Sequence, residues 1–196
     1  GALLFEFKDH LVANVEPRAV FHSKGELQWK LNFGDIPFLK SLEEVKFTKI
    51  DIIIGSPSCG HSSVFSYSRK KTLGKPREDA TLNLYLSSVK KFKPAVFMLE
   101  NLPKLLDFIP ISEWENNLPD YQLIVHCHSV TVFGNSQKSR KRLVMIGVRK
   151  DSGINPKVFD HTFQVTKPKN LCQLKKKVRK DINYRESDDK KLAMYH

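Results

Sequence analysis

Short apolar segments alternate with polar stretches along most of this chain. Asp51–Ile54, Ala95–Leu99 and Leu143–Val148 have the length and the bounding residues of buried strands. Between the first two, Asp79–Phe92 carries apolar residues at helical spacing, and Pro94 follows as a stop signal. This alternation of strand, helix and strand predicts an α/β fold with a doubly wound, Rossmann-like sheet.

Weaker signals predict the remaining elements. They are a short strand at Leu11–Val15, a helix starting within Pro17–Ser23, a short helix at Ser112–Leu118 capped by Ser112, and a strand at Tyr121–Val130. The pattern decays after Asp151, where a lysine-rich stretch shows little periodicity. We therefore predict a core domain over residues 1–150 and an irregular basic extension over residues 151–196.

Reactive and polar side chains stand where two of these predicted strands end. The first strand runs into Gly55-Ser56-Pro57-Ser58 with Cys59 just beyond, and the next ends in Glu100-Asn101. Neighbouring parallel strands would bring Cys59 and Glu100 to one carboxyl edge of the sheet, where open α/β sheets bind ligands. Two plainer interpretations remain open, a structural cysteine in a turn and a helix-capping glutamate.

Composition narrows the class of partner. The net charge is +12, from 33 lysines and arginines against 21 aspartates and glutamates. Such an excess favours a polyanionic partner, nucleic acid first, with a merely basic solvated surface as the alternative. No apolar run approaches the roughly 18 residues of a membrane span, and no signal peptide is recognisable. The three widely spaced cysteines predict neither disulfides nor a metal site, and they favour a reducing, intracellular location.

Three motifs, in this order, resemble those of the DNA cytosine-5 methyltransferases. Pro57-Ser58-Cys59 is similar to the family's Pro-Cys motif, and Glu100-Asn101-Leu102 is similar to its Glu-Asn-Val motif. Gln137, Arg140 and Arg142 resemble its Gln-x-Arg-x-Arg motif, which precedes a strand. The order of the three motifs is more specific than any one of them.

Two upstream segments extend the resemblance, and two positions depart from it. Ala13–Ala19 resembles the family's segment with a cofactor-binding glutamate, and Gly34-Asp35-Ile36 resembles its short acidic motif. The family usually has Pro-Pro-Cys-Gln where this chain has Ser58 and Gly60 around the cysteine. The Gln-to-Arg spacing is also one residue longer than usual.

The resemblance implies covalent catalysis with S-adenosylmethionine as the methyl donor. Cys59 is the expected nucleophile, adding to C6 of cytosine so that C5 can attack the methyl group. Glu100 is expected to protonate or hydrogen-bond ring N3, and Asn101 to orient the loop. Arg140 and Arg142 are expected to hold the base's carbonyl oxygen, Glu100 or a phosphate, with Arg140 supplying positive charge near the thiolate and Arg142 the more structural of the two.

A second group of residues is expected to bind the donor. An acid at a strand end hydrogen-bonds ribose hydroxyls in nucleotide-binding sheets, which is the role implied for Glu16. Asp35 would accept from the adenine amino group, and Ile36 would pack on the ring. The complete expected set is Glu16, Pro17, Asp35, Ile36, Pro57 and Leu82.

Double-stranded DNA is the expected substrate, with the target base flipped out of the stack. The polar loop His61–Lys75 follows the predicted nucleophile and would form a lid over that base, although a flexible solvated loop is the alternative. The residues expected to contact nucleic acid are Ser62, Ser63, Arg69, Lys70, Lys71 and Gln137.

The resemblance covers about residues 10–150 and implies a methyltransferase domain that is incomplete at both ends. Gly1-Ala2-Leu3-Leu4 resembles the tail of the family's glycine-rich loop, and the target-recognition region is expected after residue 196. A companion chain or flanking sequence is therefore expected to supply the missing motifs, for example in a restriction-modification system. Two alternatives stay open: an RNA cytosine-5 methyltransferase, and a catalytically inactive DNA-binding or regulatory subunit.

Overall fold

The computed structural model describes residues 8–18, 22–59, 79–129 and 140–160. The strands in these ranges are β1 Asn14–Val15, β2 Phe38–Leu39, β3 Ile52–Gly55, β4 Val96–Asn101, β5 Tyr121–Ser129 and β6 Lys141–Arg149. The helices are α1 His22–Phe33, α2 Ala80–Phe92, α3 Leu105–Phe108 and α4 Ile111–Asn117, with 3₁₀ turns at Lys8–His10 and Pro156–Phe159. The predicted mixed α/β fold is confirmed. Among the described residues, no helix is long and apolar enough to cross a membrane.

The strands form two sheets. The parallel pair β1–β2 is one sheet, and the other has the order β3-β4-β6-β5. In the larger sheet β3 and β4 are parallel, with Gly55 opposite Leu99, whereas β6 is antiparallel to both β4 and β5. The carboxyl ends of β3 and β4 therefore lie side by side, as the sequence predicted.

Helix α2 has well-defined ends. The side chain of Asp79 accepts hydrogen bonds from the backbone N–H groups of Thr81 and Leu82 at 2.8 and 3.0 Å, which is the geometry of an N-cap. At the other end Lys93 adopts a left-handed conformation with φ 44°, and its N–H donates to the Val89 carbonyl. The helix predicted from the spacing of apolar residues is therefore confirmed.

The core lies where α2 and the short helices pack on the larger sheet. A row of aromatic rings crosses it: Tyr85 meets Phe97 edge-on at 6.3 Å, and Phe97 meets Tyr121 at 5.0 Å between centroids. Glycines admit these rings, because a Cβ at Gly55 would overlap Tyr85 and one at Gly147 would overlap Phe97. The close contact at Gly55 fixes the end of β3 against α2, and the residues that follow Gly55 form the candidate site.

The helix predicted to start within Pro17–Ser23 is confirmed, because α1 begins at His22. Two other element ends differ from the predictions. Ser112 is not a cap, because α4 begins at Ile111 and its N-cap is Pro110, without a side-chain hydrogen bond. In β4 the ladder with β6 continues through Glu100 and Asn101, so these residues lie on the strand rather than after it.

Candidate active site

The end of β3 and the end of β4 are joined by a side-chain hydrogen bond. Gly55 is opposite Leu99 in a parallel pair, so Ser56 continues the register beside Glu100. The Ser56 hydroxyl donates to Oε2 of Glu100 at 2.6 Å. Sequence analysis missed Ser56, although its position one residue past a predicted strand was a signal that could have found it.

Arg142 holds the other oxygen of the same carboxylate. Val144 of β6 is opposite Glu100, and Arg142 lies two residues before Val144, so its side chain is on the same face of the sheet. Its Nε lies 2.8 Å from Oε1 of Glu100. The two side chains are 23% and 35% exposed, so the pair stands at a solvent-accessible edge and does not form part of the core.

Asn101 connects β4 to the loop that carries the cysteine. It is 3% exposed, and its Nδ2 donates to the Pro57 carbonyl at 3.2 Å. Its Oδ1 accepts from the N–H of Leu102 at 2.8 Å, which fixes the orientation of the amide. Because this buried amide both donates and accepts a hydrogen bond, it fixes the position of the Pro57 carbonyl relative to β4.

The N-terminus of α2 holds the same loop from the other side. The Ser58 N–H donates to Oγ1 of Thr81 at 2.8 Å, and the Thr81 hydroxyl donates to the buried Asp79 at 2.5 Å. The Pro57–Ser58 peptide is therefore held from two directions, by Asn101 of β4 and by Thr81 of α2, while the Cys59 thiol next to it is free and exposed. Sequence analysis missed Asp79 and Thr81. An aspartate at the start of a predicted helix is an N-cap signal, and it could have indicated both residues.

Arg18 brings a positive charge to this edge of the molecule. Its guanidinium binds Glu16 through two contacts, Nε to Oε1 at 2.7 Å and the second terminal nitrogen to Oε2 at 2.8 Å. The hydrogen bond to Glu16 raises the pKa of Arg18, and the charges of Glu16, Asp79 and Cys59 act in the same direction. Sequence analysis assigned the charge near the thiol to Arg140, which lies exposed just before β6, and it missed Arg18.

Three of the predicted donor-binding residues meet in one small cavity. Glu16, Pro17 and Pro57 line a space of about 150 Å³ beside the end of β3. Leu82 does not line it, because its side chain is 2% exposed within the hydrophobic core. Sequence position alone does not distinguish a residue that lines a cavity from one on the buried side of the same helix.

Asp35 and Ile36 lie in the turn that connects α1 to β2. Gly34 has φ 65°, and its N–H donates to the Lys30 carbonyl at 2.9 Å, which ends the helix. The Ile36 carbonyl accepts from Nε1 of Trp29 at 2.6 Å, while Asp35 is exposed. The turn is therefore fixed by backbone contacts, and the carboxylate of Asp35 faces solvent.

Six predicted contacts to nucleic acid lie outside the described residues. They are Ser62, Ser63, Arg69, Lys70, Lys71 and Gln137. Their assignment stays a prediction.

The chain is thus an α/β protein with a free, exposed cysteine just past the carboxyl end of one of two parallel strands. Over residues 18–195 the chain matches the family described as C-5 cytosine-specific DNA methylase. This protein belongs to that family. The resemblance read from its motifs is thereby confirmed.

A curated relative and several solved structures agree with this. The chain is 37% identical over 67 residues to the type II methyltransferase M.Bpa9945I of Bacillus paralicheniformis, a match covering 34% of this chain and 15% of the relative. The Dnmt2 methyltransferase of S. pombe has a TM-score of 0.51 at 17% identity, covering 76% of this chain and 45% of that one. The methyltransferase EhMeth of Entamoeba histolytica has a TM-score of 0.52 at 17% identity, covering 79% and 48%. At these identities the structures show a shared fold, and this chain spans less than half of each.

Proposed function

We propose that this protein transfers a methyl group from S-adenosylmethionine to carbon 5 of cytosine in DNA, through a covalent adduct with Cys59. The observation that supports the proposal is the arrangement of side chains at the carboxyl ends of β3 and β4. An exposed thiol stands on a loop tethered at both sides, and a carboxylate lies on the neighbouring strand, held through both oxygens. Such fixed geometry is what addition to a ring and proton transfer to the same ring require.

The chemistry follows from the two groups. The Cys59 thiolate adds to C6 of the flipped base, and a proton or hydrogen bond from the Glu100 carboxyl at N3 takes up the charge that moves onto the ring. Carbon 5 would then attack the methyl group of the donor, whose methyl–sulfur bond breaks to release S-adenosylhomocysteine. Loss of the proton from C5, return of the proton from N3 to Glu100 and departure of the thiolate would restore the aromatic ring and the free enzyme.

The donor is proposed to lie against the cavity beside the end of β3. Glu16 has an acceptor group there, although both of its oxygens already bind Arg18. The backbone N–H of Arg18 also donates to Oε1 at 3.1 Å, so the ribose hydroxyls would share this carboxylate with Arg18. The role proposed for Arg18 is to hold the carboxylate beside the cavity.

Removing either acid of the proposed donor site should weaken donor binding and leave DNA binding unchanged. Glu16→Ala and Asp35→Ala each remove a charged hydrogen-bond acceptor, which costs about 1.5–3 kcal/mol, or tenfold and more in affinity. Calorimetry with S-adenosylhomocysteine measures this, and Glu115→Ala on the exposed face of α4 is the matched control. Wild-type affinity in both variants would place the donor elsewhere.

DNA is the proposed substrate because the matched family is described as DNA methylases, and the net charge of +12 suits a nucleic-acid partner. The proposed place of action is intracellular, where a reducing environment keeps the thiol free. The decisive assay offers labelled methyl donor with mixed-sequence duplex DNA and, separately, with transfer RNA. Label in DNA supports the proposal, and label only in RNA supports the alternative substrate. Label in neither would favour an inactive binding subunit.

We also propose that a further extended segment completes the sheet between β1 and β3. A cavity of about 450 Å³ separates these two strands and is lined by apolar residues from both, together with Phe92 of α2. Among the described residues, β1 pairs only with β2, and β3 pairs only with β4. Ile52 is 50% exposed and Val12 is 46% exposed on this cavity, so apolar surface from both sides remains uncovered.

The backbone geometry specifies the segment as a strand. The N–H of Val96 donates to the Asp51 carbonyl, so the backbone groups of Asp51, Ile53 and Gly55 face β4. The backbone N–H and C=O groups of Ile52 and Ile54 therefore face the cavity. On the other side Asn14 donates to the Pro37 carbonyl, so the backbone of Val15 faces the cavity. An apolar strand parallel to both would satisfy these groups and join the two sheets. The candidates for this strand are a companion chain and further sequence of this protein.

Hydrogen exchange of the complete protein tests this strand. The amides of Val15, Ile52 and Ile54 should exchange about as slowly as that of Ile53, which faces β4. The amide of the exposed Phe47 gives the reference for an unpaired position. Rapid exchange at all three edge amides would exclude the added strand.

A further inference from the structure

The carboxylate of Glu100 on β4 is contacted by side chains from both sides, Ser56 just after β3 and Arg142 on β6. The Ser56 hydroxyl donates to Oε2 of Glu100 at 2.6 Å, while Arg142 is 2.8 Å from Oε1. The strand register produces this arrangement, since Ser56 follows β3 directly and Glu100 and Arg142 lie on one face of the adjacent strands. One oxygen of the carboxylate therefore accepts the Ser56 hydrogen bond, and the other lies in the ion pair with Arg142.

Stability does not explain this contact. An ion pair as exposed as Glu100 and Arg142 contributes about 0–1 kcal/mol to folding. Ser56 itself is exposed, so its hydroxyl could bond to water instead. What the hydrogen bond changes is the orientation of the Glu100 carboxyl group relative to the loop that carries Cys59.

We infer that Ser56 is a positioning residue that orients Glu100 toward the base bound at Cys59, an inference that rests on the proposed function. Arg142 alone contacts one oxygen through Nε and leaves the carboxyl free to rotate about its last bond. The second donor removes that freedom. Each oxygen keeps one further position, where a proton can be shared between the carboxyl group and ring N3.

Rate measurements test the inference through its dependence on Glu100. With the complete protein, labelled donor and mixed-sequence duplex DNA, Ser56→Ala should lower kcat about tenfold and leave the KM for DNA unchanged. Ser56→Thr, which keeps the hydroxyl, should restore most of the rate. The control is Ser152→Ala, which removes a serine hydroxyl bonded to the Arg149 carbonyl in the turn after β6.

A double-mutant cycle separates positioning from a general effect on the loop. If Ser56 acts through Glu100, then Ser56→Ala should cause no further loss in a Glu100→Gln background. Losses that multiply in the double variant, or a wild-type rate in Ser56→Ala, would overturn the inference while leaving the proposed function intact. A wild-type protein that transfers no label to DNA or RNA would instead overturn the proposed function.

The contact itself has a readout that needs no catalysis. The carboxyl-carbon chemical shift of Glu100 in ¹³C-labelled protein should change in Ser56→Ala and stay constant in Ser152→Ala. An unchanged shift in Ser56→Ala would show that the hydroxyl does not hold the carboxylate, and would overturn the inference whatever the activity.

Discussion

Replacing Cys59 with alanine is expected to reduce methyl transfer to the background of a labelled-methyl assay. Without the thiolate there is no addition to C6, and carbon 5 of an intact cytosine ring is too weak a nucleophile to attack the donor. The fold should be unaffected, because Cys59 is exposed at the end of a loop whose tethers come from Pro57 and Ser58. Circular dichroism and the thermal midpoint should therefore match those of the wild type.

Cys127 provides the matched control. It is a free cysteine on β5, and burial raises the pKa of its thiol, although the nearby Lys141 acts in the opposite direction. A raised pKa leaves less thiolate near neutral pH, so this cysteine is a poor nucleophile. Cys127→Ala should retain full activity. Robust transfer by Cys59→Ala would mean that another group, or no covalent step, performs the reaction.

A trapping experiment adds a direct observation of the bond. Duplex DNA carrying 5-fluorocytosine cannot lose a proton from C5 after methylation, so the adduct should accumulate on Cys59. Wild type and Cys127→Ala should both form the adduct, and Cys59→Ala should not. Mass spectrometry of the digested complex identifies the modified residue. Absence of any adduct from the wild type, in a protein that binds DNA, would support the inactive-subunit alternative.

Some of this site could be predicted from sequence and some could not. The adjacency of the two strand ends that lead to Cys59 and Glu100 required only two neighbouring parallel strands, which short apolar runs and a connecting helix predict well. Ser56 and Thr81 escaped notice because their roles depend on register and on the exact place where β3 meets α2. Side-chain hydrogen bonds between segments distant in sequence leave no periodic signal.

The same distinction explains where the structure departs from the expectations. Leu82 was expected to line the donor site, and its side chain lies in the core, outside the cavity beside the end of β3, so its role stays a prediction. Ser112 was expected to cap a helix, but the proline at 110 already supplies an extended residue before the first turn. In both cases a local rule was applied where a difference of one or two residues decides the outcome.

Replacing Glu100 with glutamine is expected to lower the rate of methyl transfer by about 10²–10⁴-fold, the usual contribution of a positioned acid or base. Glutamine has the size of glutamate and can still accept from Arg142, so the geometry of the edge should survive. It cannot deliver a proton to ring N3, and the charge that develops on the ring would lack its partner. DNA binding should persist or strengthen, because one negative charge is lost from a basic chain.

Single-turnover transfer from labelled donor, with DNA in excess of its dissociation constant, measures the chemical step. Glu115→Gln on α4 removes an equal charge at an exposed position and should leave that rate unchanged. A Glu100→Gln protein with a near-wild-type rate would show that another group supplies the proton or hydrogen bond at ring N3. A protein that instead loses DNA binding would show that Glu100 organises the edge of the sheet, because the ion pair with Arg142 and the Ser56 hydrogen bond both depend on its carboxylate.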